Sequence, residues 1–143
     1  MKKLLLVGIA MLPIAFASAA QAVDGRPISL ACQGTIADNL AGKESEPVSM
    51  GIFVDFTNRI VQGGFSFASH SLFGPDSPIP ITEWNDTTVS FNGKGRAAWS
   101  TEYVEESIWG NIDRVTGDVE AHITSGTVTN HYTLKCRPVK RMF

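Results

Sequence analysis

The chain is predicted to be all-β: a single antiparallel β-barrel or β-sandwich of eight to nine short strands, closed by one disulfide between Cys32 and Cys136. Three observations carry that expectation. Apolar and polar residues alternate with period two over much of the chain. Turn residues in the last third place three runs in one register. The two cysteines fall on the apolar phase of the first and last runs.

The strands follow a leader. Met1-Lys2-Lys3 is basic, Leu4 to Ala17 is apolar and uncharged, and small residues end at Ala20-Gln21-Ala22. This is the order of a secretory signal peptide over residues 1–22, with the mature domain running from Val23 to Phe143. The apolar run is short of the roughly 20 residues that span a bilayer, and no cysteine follows Ala22 to take a lipid. The mature chain is therefore expected to be exported, periplasmic or extracellular, and not an integral membrane protein. An oxidising compartment permits the disulfide, the alternative being two buried thiols. Closing so long a loop, about 100 residues, is worth about 4–5 kcal/mol in the chain-entropy picture.

The first strand covers 28–36, with Ile28, Leu30, Cys32 and Ile36 on one face and Ser29, Gln33 and Thr35 on the other. Residues 37–46 read as a polar loop. In 48–56, Val48, Met50, Ile52, Val54 and Phe56 share a face, and Thr57-Asn58-Arg59 is turn-like before a strand at 60–67. A Ser-, Gly- and Pro-rich loop fills 68–80. Short runs at 81–84 and 87–92 are split by Asn85-Asp86, and Gly93-Lys94-Gly95 reads as a further break. Residues 96–107 are open between helix and strand. No repeat or interdomain linker interrupts the chain.

The runs 108–113, 118–124 and 128–136 can be aligned by their turns. In Asp113-Arg114-Val115-Thr116-Gly117-Asp118, Gly117 supplies the positive φ that closes a loop built on a type I turn. Ser125-Gly126-Thr127-Val128 fits a two-residue type II′ loop. Register follows: Ile112 faces Val119, Gly110 faces Ala121, Ile108 faces Ile123, Ala121 faces Tyr132 and Val119 faces Leu134. All are apolar or small, and Cys136 shares their face.

On the opposite face the same register makes rows of Trp109, His122 and His131, then Asn111, Glu120 and Thr133, then Asp113, Asp118 and Lys135. Facing histidines have Cβ atoms about 5 Å apart, close enough to share a divalent metal, with Glu120 as third ligand or orienting partner. Trp109 is suited to stacking on a sugar or an aromatic ligand. The plainer alternative is a solvated meander face, on which two histidines and an acid occur by chance.

Other chemistry is poorly supported. His70 sits between Ser69 and Ser71, but no Gly-x-Ser-x-Gly elbow surrounds a serine. Glu102, Glu105 and Glu106 form an acidic cluster that reads as a charged edge, since neighbours on a strand point to opposite faces. Gly63-Gly64 and Gly93-Lys94-Gly95 match no phosphate loop, and no cofactor is expected. With two cysteines, CxxC redox chemistry and cysteine-based zinc sites are excluded. Asn85-Asp86-Thr87 is a glycosylation sequon by pattern and a turn by chemistry. The formal charge is −2, more negative once Lys2 and Lys3 leave with the leader, so nothing favours nucleic acid as a partner. The basic tail, Lys135, Arg137, Lys140 and Arg141, reads as a solvated end. An outer-membrane barrel is disfavoured by polar outward faces and by the basic run Cys136-Arg137-Pro138-Val139-Lys140-Arg141.

The stretch Gly110-Asn111-Ile112-Asp113-Arg114-Val115-Thr116-Gly117, with Tyr132-Thr133-Leu134-Lys135-Cys136-Arg137-Pro138 and a terminal Phe143, resembles the ending of a group of small exported alphaproteobacterial proteins. The resemblance covers the leader, Cys32 and about the last 35 residues. It implies location and size, and it transfers no catalytic or binding residue. Together these readings point to a non-catalytic exported or envelope-associated binding domain. The alternatives are a small-ligand carrier with a barrel cavity, a metal-binding protein using the cross-strand histidines, and an inhibitor of unspecified target.

Overall fold

The computed structural model describes residues 26–40, 44–65, 73–74, 76–99 and 102–139, with backbone alone for 97–99, 102 and 103. The expected signal peptide over 1–22, the Ser69-His70-Ser71 segment, and Lys140, Arg141 and Phe143 lie outside these residues, as do the side chains of Trp99, Glu102 and Tyr103.

Eight strands follow one another in chain order: β1 (Ile28–Asp38), β2 (Glu46–Asp55), β3 (Ile60–Gly63), β4 (Ile79–Trp84), β5 (Thr88–Trp99), β6 (Glu102–Asp113), β7 (Asp118–Ser125) and β8 (Val128–Pro138). Each pairs antiparallel with its neighbour, and β8 returns to β1, which closes an up-and-down barrel. The choice between barrel and sandwich is thus settled by the β1–β8 ladder, which runs from Leu30↔Pro138 to Asp38↔Asn130. Closure pairs the last strand with the first, which removes the free edges those two strands would otherwise present. Among the described residues no helix is long and apolar enough to cross a membrane. The barrel wall is polar outside at Gln33, Glu120, Thr133 and Lys135 and apolar inside.

Inward-facing residues pack the interior. Ile52, Val61, Ile79, Val89, Phe91, Ile108, Val119, Ile123 and Tyr132 are buried, each burial of a Val, Ile or Phe side chain being worth roughly 1.5–3 kcal/mol. Phe65 lies at the centre, 5.8 Å from the Phe91 ring and 5.4 Å from Tyr132, the latter edge-on at 90°. An eight-stranded barrel is just wide enough for its side chains to fill it, and here they largely do.

The predicted pairings of the last meander are all present: Ile112↔Val119, Gly110↔Ala121, Ile108↔Ile123, Ala121↔Tyr132 and Val119↔Leu134. Gly117 has φ of 78° and Gly126 of 61°. Gly117 donates its N–H to the Asp113 carbonyl at 2.9 Å, and its own carbonyl accepts the Cys136 N–H at 2.7 Å. Cys32 and Cys136 are directly paired residues of β1 and β8 and are disulfide-bonded, with Cα atoms 4.0 Å apart.

One expectation is corrected and one open reading is decided. Gly93-Lys94-Gly95 does not break the chain but lies mid-strand in β5, with Gly93 opposite Ile108 and Gly95 opposite Glu106. Gly93 faces inward, where a Cβ would stand 3.0 Å from the Phe73 ring, so the residue is small because an aromatic fills the space above it. Residues 96–99 and 102–107, open between helix and strand in the sequence, are strand, with β5 and β6 paired as far as Trp99↔Glu102.

Candidate functional site

The outer row was legible from register, and the structure shows how its rings sit. Asn92, Trp109, His122, His131 and Ala37 occupy successive strands β5, β6, β7, β8 and β1 as cross-strand partners. Trp109 and His122 stack with centroids 5.2 Å apart and planes 8° from parallel, and His122 and His131 stack at 4.3 Å and 5°. The rings thus form a ladder at strand spacing. Trp109 is 40% exposed. Asn92, a short side chain on its other side, continues the row without an aromatic ring.

Burial and the neighbouring His131 lower the His122 pKa, with nearby Glu120 opposing them. His131 Nε2 is closed off from solvent and meets no hydrogen-bond partner. Face-to-face rings present π surfaces to one another, whereas a shared metal needs in-plane lone pairs converging on one point. Among the described residues no group of three or more His, Cys, Asp or Glu side chains is placed to hold a metal ion.

In the second row, Ser90 Oγ donates to Asn111 Oδ1 at 2.8 Å, and Glu120 pairs across to Thr133. In the third, Lys135 Nζ meets Asp118 Oδ1 at 2.8 Å, exposed on both sides. Asp113 leaves that row. Its carboxylate turns into the β6–β7 loop and accepts the N–H groups of Thr116 and Val115, both at 2.8 Å, which hold its pKa below the usual carboxylate value.

A second feature was not legible in the sequence. At the barrel end where β1 begins and β8 finishes, a recess of about 170 Å³ opens between Ile28, Leu30, Val54, Val89, Ile112 and Phe56, with Asp113 and Arg114 also lining it. Around it runs a line of aromatic rings and guanidinium groups. The Arg59 guanidinium sits 4.7 Å over the Trp84 ring, Trp84 lies 6.4 Å from Phe56, and Arg114 sits 5.3 Å over Phe56. Arg59 holds φ of 56°, uncommon for a residue with a Cβ. The turn is tied by Asp55, which accepts from the Asn58 N–H at 3.0 Å and Nδ2 at 2.8 Å. Arg114 is fixed three ways: its backbone N–H bonds the Thr87 carbonyl, Nη1 bonds the Asn85 carbonyl, and its plane lies over Phe56. Asn85 makes an Asx turn, accepting from the N–H groups of Thr87 and Thr88 at 2.9 Å. In the sequence Phe56, Arg59, Trp84 and Arg114 are strand ends and turn residues far apart along the chain, and their meeting depends on barrel closure.

The acidic cluster divides. Glu105 is exposed, while Glu106 is fully buried inside the barrel beside Gly95 and Ser125, so it is not part of a charged edge. Comparison of the chain with protein-family models, with curated proteins and with solved structures finds no match.

Proposed function

We propose that the mature chain is an exported, non-catalytic binding barrel that takes up a small ligand without transforming it. The observation that carries this reading is the recess of about 170 Å³ with apolar walls at one end of an otherwise filled barrel. Apolar cavities of about 150 Å³ admit a benzene-sized molecule, so the recess suits a single ring or a short chain and is too small for a lipid-sized cargo. The leader-like first 22 residues and the disulfide support an oxidising destination. Titrating the mature protein with benzyl alcohol should give saturable shifts in the methyl resonances of Ile28, Leu30, Val54, Val89 and Ile112. If those methyls do not respond, or if the protein turns over esters, glycosides or peptides at an enzyme-like rate, the reading is wrong.

A second reading is favoured by the ladder on the outer wall. The face of Trp109 turned away from His122 lies toward Asn92, its partner on β5, an aromatic surface beside an amide hydrogen-bonding group, which is the chemistry that holds a sugar ring. Trp109→Ala should then abolish retention of the protein on a polysaccharide that the intact protein binds. Unchanged retention would remove Trp109 from the site.

A further inference from the structure

We infer that the recess selects small monocarboxylates: an apolar ring or short aliphatic body held between Val54, Val89 and Ile112, with its carboxylate on the Arg114 guanidinium. The inference rests on the uptake reading of the same recess and adds the charge of the ligand.

Arg114 is the reason. A guanidinium on a long, rotatable side chain is ordinarily solvated and mobile, but this one is held at the recess by the Asn85 carbonyl and the Phe56 ring, while the Thr87 carbonyl fixes the Arg114 backbone N–H. A cation so fixed carries little further ordering cost when it binds. Among the described residues Arg114 makes no ion pair. Asp113 also lines the recess and keeps its negative charge, its Oδ1 accepting the Thr116 and Val115 N–H groups, so the ligand carboxylate must seat on the Arg114 fork rather than beside Asp113. One N–H of Nη1 goes to the Asn85 carbonyl, and a guanidinium offers five donors in a planar fork, so enough remain for a bidentate carboxylate. Phe56 both lines the recess and underlies the guanidinium, placing the charge at the mouth of the apolar space. Electrostatic attraction is strengthened by such low-polarity walls. Arg59 on Trp84 extends the same aromatic line and adds positive potential.

The test uses the mature, disulfide-bonded protein and two probes of similar shape, benzoate and benzyl alcohol, with affinity read by calorimetry and location by methyl shifts. Benzoate should bind about tenfold or more tightly than benzyl alcohol. Arg114→Gln should remove that preference and leave benzyl alcohol within about twofold, and Arg114→Lys should restore it only in part, because an ammonium lacks the fork. Val89→Phe, which fills the recess, should lose both probes while near-ultraviolet circular dichroism confirms the fold. Equal binding of the two probes, unaffected by Arg114→Gln, overturns the selectivity but leaves uptake standing. Failure of both probes to bind overturns both. Retention of both by a folded Val89→Phe protein overturns the location.

Discussion

His122 and His131 stack face to face on the outside of β7 and β8, 4.3 Å between centroids and 5° from parallel. Two like-charged rings cannot both be protonated at that distance without repulsion. Burial and His131 together lower the His122 pKa from 6.5. In the unfolded chain the group titrates near its ordinary value. Between the two values the unfolded state therefore holds the extra proton, and stability is lost as pH falls through 6.5. Urea midpoints are expected to drop from pH 7.5 to pH 5.5, and His122→Phe, which keeps a ring in the ladder, should flatten that dependence. The carboxylates of Asp55, Asp113 and Asp118, whose pKa values lie below 3.8 because they accept hydrogen bonds, act in a separate and more acidic window. Their stabilisation is present above 3.8 and fades as pH falls through their lowered values.

The disulfide joins residues 104 apart in sequence and staples the last strand to the first. Cys32 and Cys136 are 1% and 7% exposed, so a reductant reaches the bond when β1 and β8 separate. Replacing both by alanine is expected to cost about 2–5 kcal/mol, read as a lower urea midpoint. Reduction of the intact protein by dithiothreitol should accelerate in parallel with urea-induced unfolding.

Gly117 and Gly126 both hold positive φ, but their surroundings differ. A Cβ on Gly117 would lie 2.4 Å from the Cys136 carbonyl oxygen, whereas one on Gly126 would find nothing nearer than Val104 at 3.8 Å. Gly126→Ala should cost the left-handed backbone penalty alone, about 1–2 kcal/mol. Gly117→Ala should cost clearly more, because β8 must also move and the hydrogen bond from the Cys136 N–H is strained. Thermal midpoints of the two variants measured side by side check the order.

The fold was legible where several local rules agreed. Gly117 and Gly126 set the hairpins, alternation set the faces, and the cysteine phase joined the ends, so the register of β6, β7 and β8 followed from sequence. It failed at Gly93-Lys94-Gly95, where glycine marks the space taken by Phe73, a residue distant in sequence and approached only through closure. It failed for Glu106 because a charged residue in an ambiguous segment reads as exposed, while β6 carries it to the inward face. The Trp109–His122–His131 row was legible as positions, since strand pairing fixes Cβ atoms. Its stacked ring orientation was not, because side-chain torsions follow from packing. The Arg114 recess was invisible in the sequence because its walls come from five strands whose ends meet only in the closed barrel.

The ring orientation also decides how the histidine pair should meet a metal. A zinc ion shared by His122 and His131 would need both rings turned so that one nitrogen of each points to a common centre, with Glu120 brought in beside them. Turning them gives up the stack with Trp109 and the shielding of His131 Nε2. Zinc at neutral pH should therefore raise the thermal midpoint little, and His122→Ala should not change that small response. Tight saturable binding of one zinc ion that disappears in His122→Ala would show that the ladder opens at low cost. The outer face would then be a metal site, and Trp109 an incidental neighbour of it.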